Sequence, residues 1–318
     1  MNRKLLVAAS HFSELCMEQK RHLLERGFEI TENTSSLPLP QEQAAEMARE
    51  ADAVFVGVEV WDTALFDSAS NLSILCRWGV GLDNIDLDEA KKRGIVVTNA
   101  AGCNHNAVAE HTLALILSLL RMVPFYDRTT RGGGWERRIA PELNGQTVGL
   151  IGFGRIGKTV AKRLRGFDTR VLVYDRYVKA GPDDGPNVRS VELDELLAAS
   201  DVVSLHCPAT PETTHLINRE TIDRMRGGAL LINTARGALV DEQALYEALS
   251  AGRLGGAGLD VFEDEPTGQD NPLFSLENVV VTPHLSAYTH NTFDNVAWTC
   301  TNALIDFFEG REPENRIV

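Results

Sequence analysis

The chain has no CxxC pair, no excess of positive charge and no apolar run long enough to cross a bilayer, and each absence removes a class of function. Its five cysteines, Cys16, Cys76, Cys103, Cys207 and Cys300, are scattered, with no partner set at metal-ligand spacing. No metal site is therefore expected, and free thiols in a reducing cytoplasm are the reading. Lys and Arg number 31 against 45 Asp and Glu, a net charge of −14. Such a surface repels phosphate, which argues against a nucleic-acid or anionic-membrane partner. The strongest apolar run, 112-TLALILSLL-120, falls well short of the ~20 residues that span a bilayer and reads as a buried helix. The opening MNRKLLVAASHF carries too short an apolar run for a signal peptide. A small-molecule partner remains.

What is present is an alternation of short β-branched runs with helical periodicity, the pattern of parallel βαβ units. At 318 residues the chain is long enough for two domains with separate cores. The first half offers 4-KLLVA-8, 52-DAVFVG-57, 72-LSILC-76 and 95-IVVTN-99 as strands, with helices such as 41-QEQAAEMARE-50 and 87-LDEAKKRG-94 between them. A helix from about Asn106 to Arg121 leads into 131-RGGGWERR-138, which reads as a surface crossing. Six further strands follow, at 148-VGLIG-152, 171-VLVYD-175, 201-DVVSLH-206, 229-ALLINT-234, 257-AGLDVF-262 and 278-NVVVT-282. A last helix, about Thr289 to Phe308, lies beyond them. The fold class expected is α/β, two doubly wound parallel-sheet domains.

Two constellations carry chemistry. In 147-TVGLIGFGRIGKTVAKRL-164, Gly152, Gly154 and Gly157 form GxGxxG after a strand and before a helix, and the next strand ends in Asp175. That combination reads as a dinucleotide site: the turn is tight, the backbone approaches the pyrophosphate, and the helix dipole meets the negative charge. Asp175 would accept the ribose hydroxyls and repel a 2′-phosphate, favouring NAD, although Arg176 beside it is a potential phosphate partner. The second constellation is Arg236, Glu265 and His284, each just after an apolar strand. A cation, a carboxylate and an imidazole at one rim of a sheet read as a catalytic site. His105, His111 and His206 read as structural.

The motifs 152-GFGRIG-157, 204-SLHCPATPETTHLIN-218, 232-INTARGALVDEQAL-245, 259-LDVFEDEP-266 and 282-TPHLSA-287 together resemble those of the D-isomer-specific 2-hydroxyacid dehydrogenases in order and spacing. The resemblance implies a Rossmann NAD-binding domain, residues 99–289, inserted into a flavodoxin-like substrate domain, residues 1–98 with 290–318, and a homodimer formed through the NAD domain. A cleft closing on substrate between the two domains is also implied. It further implies that Arg155 and Ile156 lie in the phosphate turn, that Cys207, Pro208 and Thr213 line the adenosine side, that Ala235 meets the cofactor through its backbone, and that Asp260 hydrogen-bonds the nicotinamide carboxamide, the alternative for Asp260 being a buried acid that only braces the adjacent Arg236 loop. The imidazole of His284 would serve as acid and base, Glu265 would orient it, and Arg236 would clamp the substrate carboxylate.

For the substrate, 76-CRWGVGLDNID-86 is closest to the phosphoglycerate dehydrogenase branch, with amides near Val80 and Gly81 for the carboxylate and Arg77 for a phosphate. Phosphoglycerate therefore leads. Where that branch commonly places a second arginine, Val56, Gly57 and Val58 offer no cation, and with Trp78 this keeps a glyoxylate or hydroxypyruvate reductase open. An NAD(H)-sensing corepressor is the reading from another class; a formate-type enzyme is disfavoured because Glu265 stands where a glutamine is expected. The chain stops soon after its last helix, so no serine-sensing regulatory domain is expected.

Overall fold

The computed structural model describes residues 3–35 and 37–318, in two compact units, Met1–Asn104 with Tyr288–Val318, and His105–Ala287. The divide falls after Asn104, later than the expected boundary at 98/99, because the chain passes from the last strand of the first unit through a turn before the next helix begins. The return comes at Tyr288, just ahead of helix His290–Phe308.

The first unit holds five parallel strands: β1 Arg3–Val7, β2 Phe28–Glu32, β3 Ala53–Val56, β4 Ile74–Arg77 and β5 Val96–Asn99, in the order β2-β1-β3-β4-β5. This is the flavodoxin-like order. Alternation along the strands divides the core. Leu5, Val7, Phe55, Ile74 and Cys76 pack with Val296, Ala297, Cys300 and Leu304 of helix His290–Phe308. Leu6, Val54, Val56, Leu75 and Val97 pack with Ala44, Ala48, Leu65 and Phe66. With both faces covered, the inner strands are apolar throughout, which is why they are legible as unbroken runs. Beyond β5 the chain closes the sheet: Ile317 donates its N–H to Val97 O at 2.7 Å, and Thr98 bridges Arg316.

The second unit holds seven parallel strands: β6 Thr147–Ile151, β7 Arg170–Tyr174, β8 Val188–Ser190, β9 Val202–Leu205, β10 Leu230–Asn233, β11 Gly256–Leu259 and β12 Val279–Val281, in the order β12-β11-β10-β9-β6-β7-β8. The six expected strands are all present, and the short edge strand β8 is additional. Strand order reverses between β6 and β9, so a crevice opens beyond their carboxyl ends, where such sheets bind ligands. Helix His105–Leu120 lies in the core through Ala109, Leu115 and Ile116, packed with Val148, Leu150 and Ile232. It bends by 61° into Val123–Arg131, and among the described residues no single helix is long and apolar enough to cross a membrane.

Candidate active site

At the switch point the glycines are required by contact. Gly152, with φ +98°, brings its Cα so close to the next strand end that a Cβ would lie 2.5 Å from His206 C and 2.6 Å from Cys207 N. At Gly157 a Cβ would lie 2.3 Å from Gly152 O, so the helix Arg155–Leu164 can seat against the turn only without a side chain there. A Cβ on Gly154, the residue capping that helix, would meet nothing within 4 Å. The turn is thus closed against the protein on two sides and open at the helix N-terminus, the arrangement a pyrophosphate needs. Asp175 accepts N–H bonds from Phe153 at 2.6 Å, Tyr177 at 2.8 Å and Val178 at 2.9 Å. Burial alone would raise its pKa, but these donors outweigh it and hold the carboxyl below its usual range. Arg155 and Ile156 open the helix, Ile156 packing partly into the core. Cys207 follows β9, with its thiol pushed up by burial to about 11. Thr213 Oγ1 donates to Pro208 O at 2.8 Å and closes the loop beside it. These residues share one edge and fit NAD.

Along the same carboxyl edge stand the three catalytic candidates. His284 Nδ1 lies 2.6 Å from Glu265 Oε2, while Glu265 Oε1 accepts the Phe262 N–H at 3.0 Å. Burial works to raise the Glu265 carboxyl; the hydrogen bond and charge of His284, the Phe262 N–H and the Arg236 charge reverse this and hold it low. An ionised Glu265 fixes hydrogen on Nδ1 and turns Nε2 outward, and half of the His284 side chain (50%) stays exposed. The backbone of His284 is left-handed, φ +50°, and its N–H is held by Asp260 O at 2.7 Å. Arg236 is half-buried after β10, with Nη1 donating to Ala235 O at 2.6 Å; Ala235 N in turn donates to Asn233 Oδ1 at 3.0 Å. Gly237 lets this turn touch the Glu265 loop, since a Cβ there would lie 1.8 Å from Phe262 O.

Two of the expected site residues are tied into the protein around them. Asp260 is 0% exposed, and its carboxyl oxygens accept from Thr282 Oγ1, Leu285 N and Ser286 N, so it braces the His284 turn. Arg77 donates from Nε to Gly81 O at 3.0 Å and from Nη1 to Val56 O at 3.2 Å and Trp78 O at 2.9 Å. That guanidinium holds its own loop in shape. The segment expected to lack a cation carries a buried acid, Glu59, whose Oε1 accepts Gly57 N at 2.9 Å. Val80 and Gly81 are half-buried on the braced loop, and among the described residues their N–H groups have no acceptor. Of the other histidines, His206 Nε2 lies 2.9 Å from Ser204 Oγ, and burial lowers its pKa to about 4. His111 Nε2 lies 2.9 Å from Thr282 Oγ1, a contact that sequence reading had no means to find. Among the described residues no cluster of His, Cys, Asp or Glu fit to hold a metal ion occurs.

Residues 113–286 match the family model described as the NAD-binding domain of D-isomer-specific 2-hydroxyacid dehydrogenases. The glyoxylate reductase of Korarchaeum cryptofilum is 40% identical over 93% of this chain and 94% of its own length. The D-3-phosphoglycerate dehydrogenase of Archaeoglobus fulgidus is 43% identical over 80% of this chain but only 49% of its own, so the chain spans about half the length of that relative. The crystal structure of a Thermus thermophilus protein superposes with a TM-score of 0.92 at 39% identity, covering 99% of this chain and 100% of that one. With the glycine turn, the strand-end triad and this likeness along nearly the whole sequence, the chain belongs to the D-isomer-specific 2-hydroxyacid dehydrogenase family.

Proposed function

We propose that the protein interconverts a short, unphosphorylated 2-keto acid and its D-2-hydroxy acid with NAD(H). The observation that carries this is the 2.6 Å pairing of His284 Nδ1 with Glu265, which leaves Nε2 to exchange a proton with the substrate oxygen. NAD(H), when bound, supplies or accepts the hydride. Arg236 pairs its planar fork with the substrate carboxylate and draws electron density from the adjacent carbonyl. In the reducing direction His284 delivers the proton from Nε2; in the oxidising direction it receives it. Asp175 favours NAD over NADP, because a 2′-phosphate beside a carboxyl held in its ionised form is repelled.

The choice of an unphosphorylated acid rests on Arg77, whose Nε and Nη1 donate to three carbonyls of its own neighbourhood, and on Glu59 in place of a second cation. Phosphohydroxypyruvate is the second reading, supported by the likeness of 76-CRWGVGLDNID-86 and 135-WERR-138 to the phosphoglycerate branch. A homodimer through the second unit belongs to the same proposal: Trp135 is 78% exposed, and the fully exposed Ile139 lines a cavity of about 590 Å³ at the opposite edge of the sheet from the triad. The five unpaired cysteines support a cytoplasmic location.

The test is NADH oxidation with glyoxylate, hydroxypyruvate and phosphohydroxypyruvate under one buffer, on the native protein and on His284→Ala. We expect kcat/KM to favour an unphosphorylated acid by about tenfold, and the variant to lose about a hundredfold or more in kcat while still binding NADH. A preference for phosphohydroxypyruvate would move the protein to the phosphoglycerate branch, and full activity in the variant would remove His284 from the chemistry.

A further inference from the structure

Behind His284 runs a directed chain of hydrogen bonds. Thr282 Oγ1 donates to Asp260 Oδ1 at 2.5 Å and lies 2.9 Å from His111 Nε2. A hydroxyl has one hydrogen, and that of Thr282 is spent on Asp260; toward His111 it can only accept. His111 must therefore carry its hydrogen on Nε2, giving the order His111, Thr282, Asp260. The same Nε2 lies 3.6 Å from Asp260 Oδ1. Asp260 also takes the N–H of Leu285 and of Ser286, each at 2.9 Å, and its carbonyl takes the N–H of His284 at 2.7 Å. These bonds close the turn 282–286 around a residue in the left-handed region, a strained conformation that a non-glycine residue keeps only where its surroundings impose it.

The neighbouring residue of the helix reaches the other catalytic strand. Thr112 Oγ1 donates to Val108 O at 2.8 Å and lies 3.0 Å from Thr234 Oγ1, at the end of the strand that leads to Arg236. Thr112 and Thr234 are both buried. Consecutive residues of helix His105–Leu120 thus bond to the threonines two residues before His284 and two residues before Arg236.

We propose that Thr282 and His111 are positioning residues for the reaction: through Asp260 they fix the backbone of His284, and so the direction of Nε2, without touching substrate or cofactor. This rests on His284 acting as the proton carrier. The test compares Thr282→Val, which keeps the shape and removes the hydroxyl, with Thr282→Ser, which keeps the hydroxyl, and adds His111→Ala, His111→Gln and the Thr282→Val/His111→Ala double variant. Misplacing a catalytic group by a fraction of an ångström to an ångström costs about tenfold to a hundredfold. We expect Thr282→Val to lower kcat by about tenfold or more with the Kd for NADH within about twofold of native. Serine should restore most of the loss. Glutamine, whose amide nitrogen reaches about as far as Nε2, should restore His111→Ala. Because the two residues act in series, the double variant should be no slower than Thr282→Val.

The proposal falls if Thr282→Val keeps native kcat, if NADH affinity drops in step with kcat, or if the two losses multiply. Should Thr282→Val fail to fold, the His111→Ala and His111→Gln pair decides alone: equal kcat in both would overturn it. A native protein that reduces no 2-keto acid with NADH would sink the functional reading itself, a different outcome from active protein with indifferent Thr282 and His111 variants.

Discussion

Glu265 shows how a single residue is tuned by opposing influences. Burial pushes its carboxyl toward the neutral form; His284, the Phe262 N–H and Arg236 pull it further the other way, and its folded-state pKa is lowered. A carboxyl with a depressed folded-state pKa stabilises the fold fully above its unfolded value, about 4.3, and loses that contribution as pH falls through the folded value. Native protein and Glu265→Gln should therefore differ in urea unfolding at about pH 5, and the difference should shrink as the buffer is taken below the unfolded carboxyl value. A gap that stayed undiminished in strongly acidic buffer would mean that the carboxyl is not held below its usual range. At this scale the sequence was informative about identity and silent about direction. The positions of Arg236, Glu265 and His284 after apolar runs marked them. The inward turn of Asp260 depends on Thr282, Leu285 and Ser286, more than twenty residues downstream, and no local pattern encodes it. The same holds for Arg77, whose bond to Val56 is visible only once β3 and β4 lie side by side.

At the scale of elements, legibility followed burial. The inner strands are covered on both faces and announce themselves as apolar runs. The missed ones are edge strands: β2, FEITE, alternates buried with exposed residues, and β8, VRS, is three residues with none fully buried. Helix Val123–Arg131 went unread between the long helix and the segment 131–138, because it has a proline in its first turn and buries only Phe125. Loops are set by closer tolerances. The turns carrying Arg236 and Glu265 meet at Gly237, where an added Cβ would lie 1.8 Å from Phe262 O. Gly237→Ala should therefore push the two turns apart, costing about 1–3 kcal/mol by overpacking and lowering kcat in parallel. Thermal unfolding together with turnover would read this out; a variant matching the native protein in both would show that the turns are free to separate.

At the scale of the whole molecule, the first unit is built from two stretches of chain and the second from one. Residues His105–Ala287 form a contiguous unit with the cores on both faces of its sheet. Expressed alone, this stretch should unfold cooperatively and bind NADH, whereas a chain cut after Ala287 should leave residues up to Asn104 without the helix that covers one face of their sheet. Circular dichroism and NADH fluorescence would show it, and a disordered 105–287 fragment would contradict it. Because helix His290–Phe308 supplies Val296, Ala297, Cys300 and Leu304 to a sheet whose strands are made first, that sheet waits on the ribosome with one apolar face covered only in part, by Phe12, Cys16 and Leu23, while the entire cofactor unit is synthesised. At about 5–20 residues per second the wait is on the order of ten seconds or more. Aggregation during synthesis, rather than instability of the finished protein, is then the hazard this chain order creates, and slowing translation would be expected to worsen it.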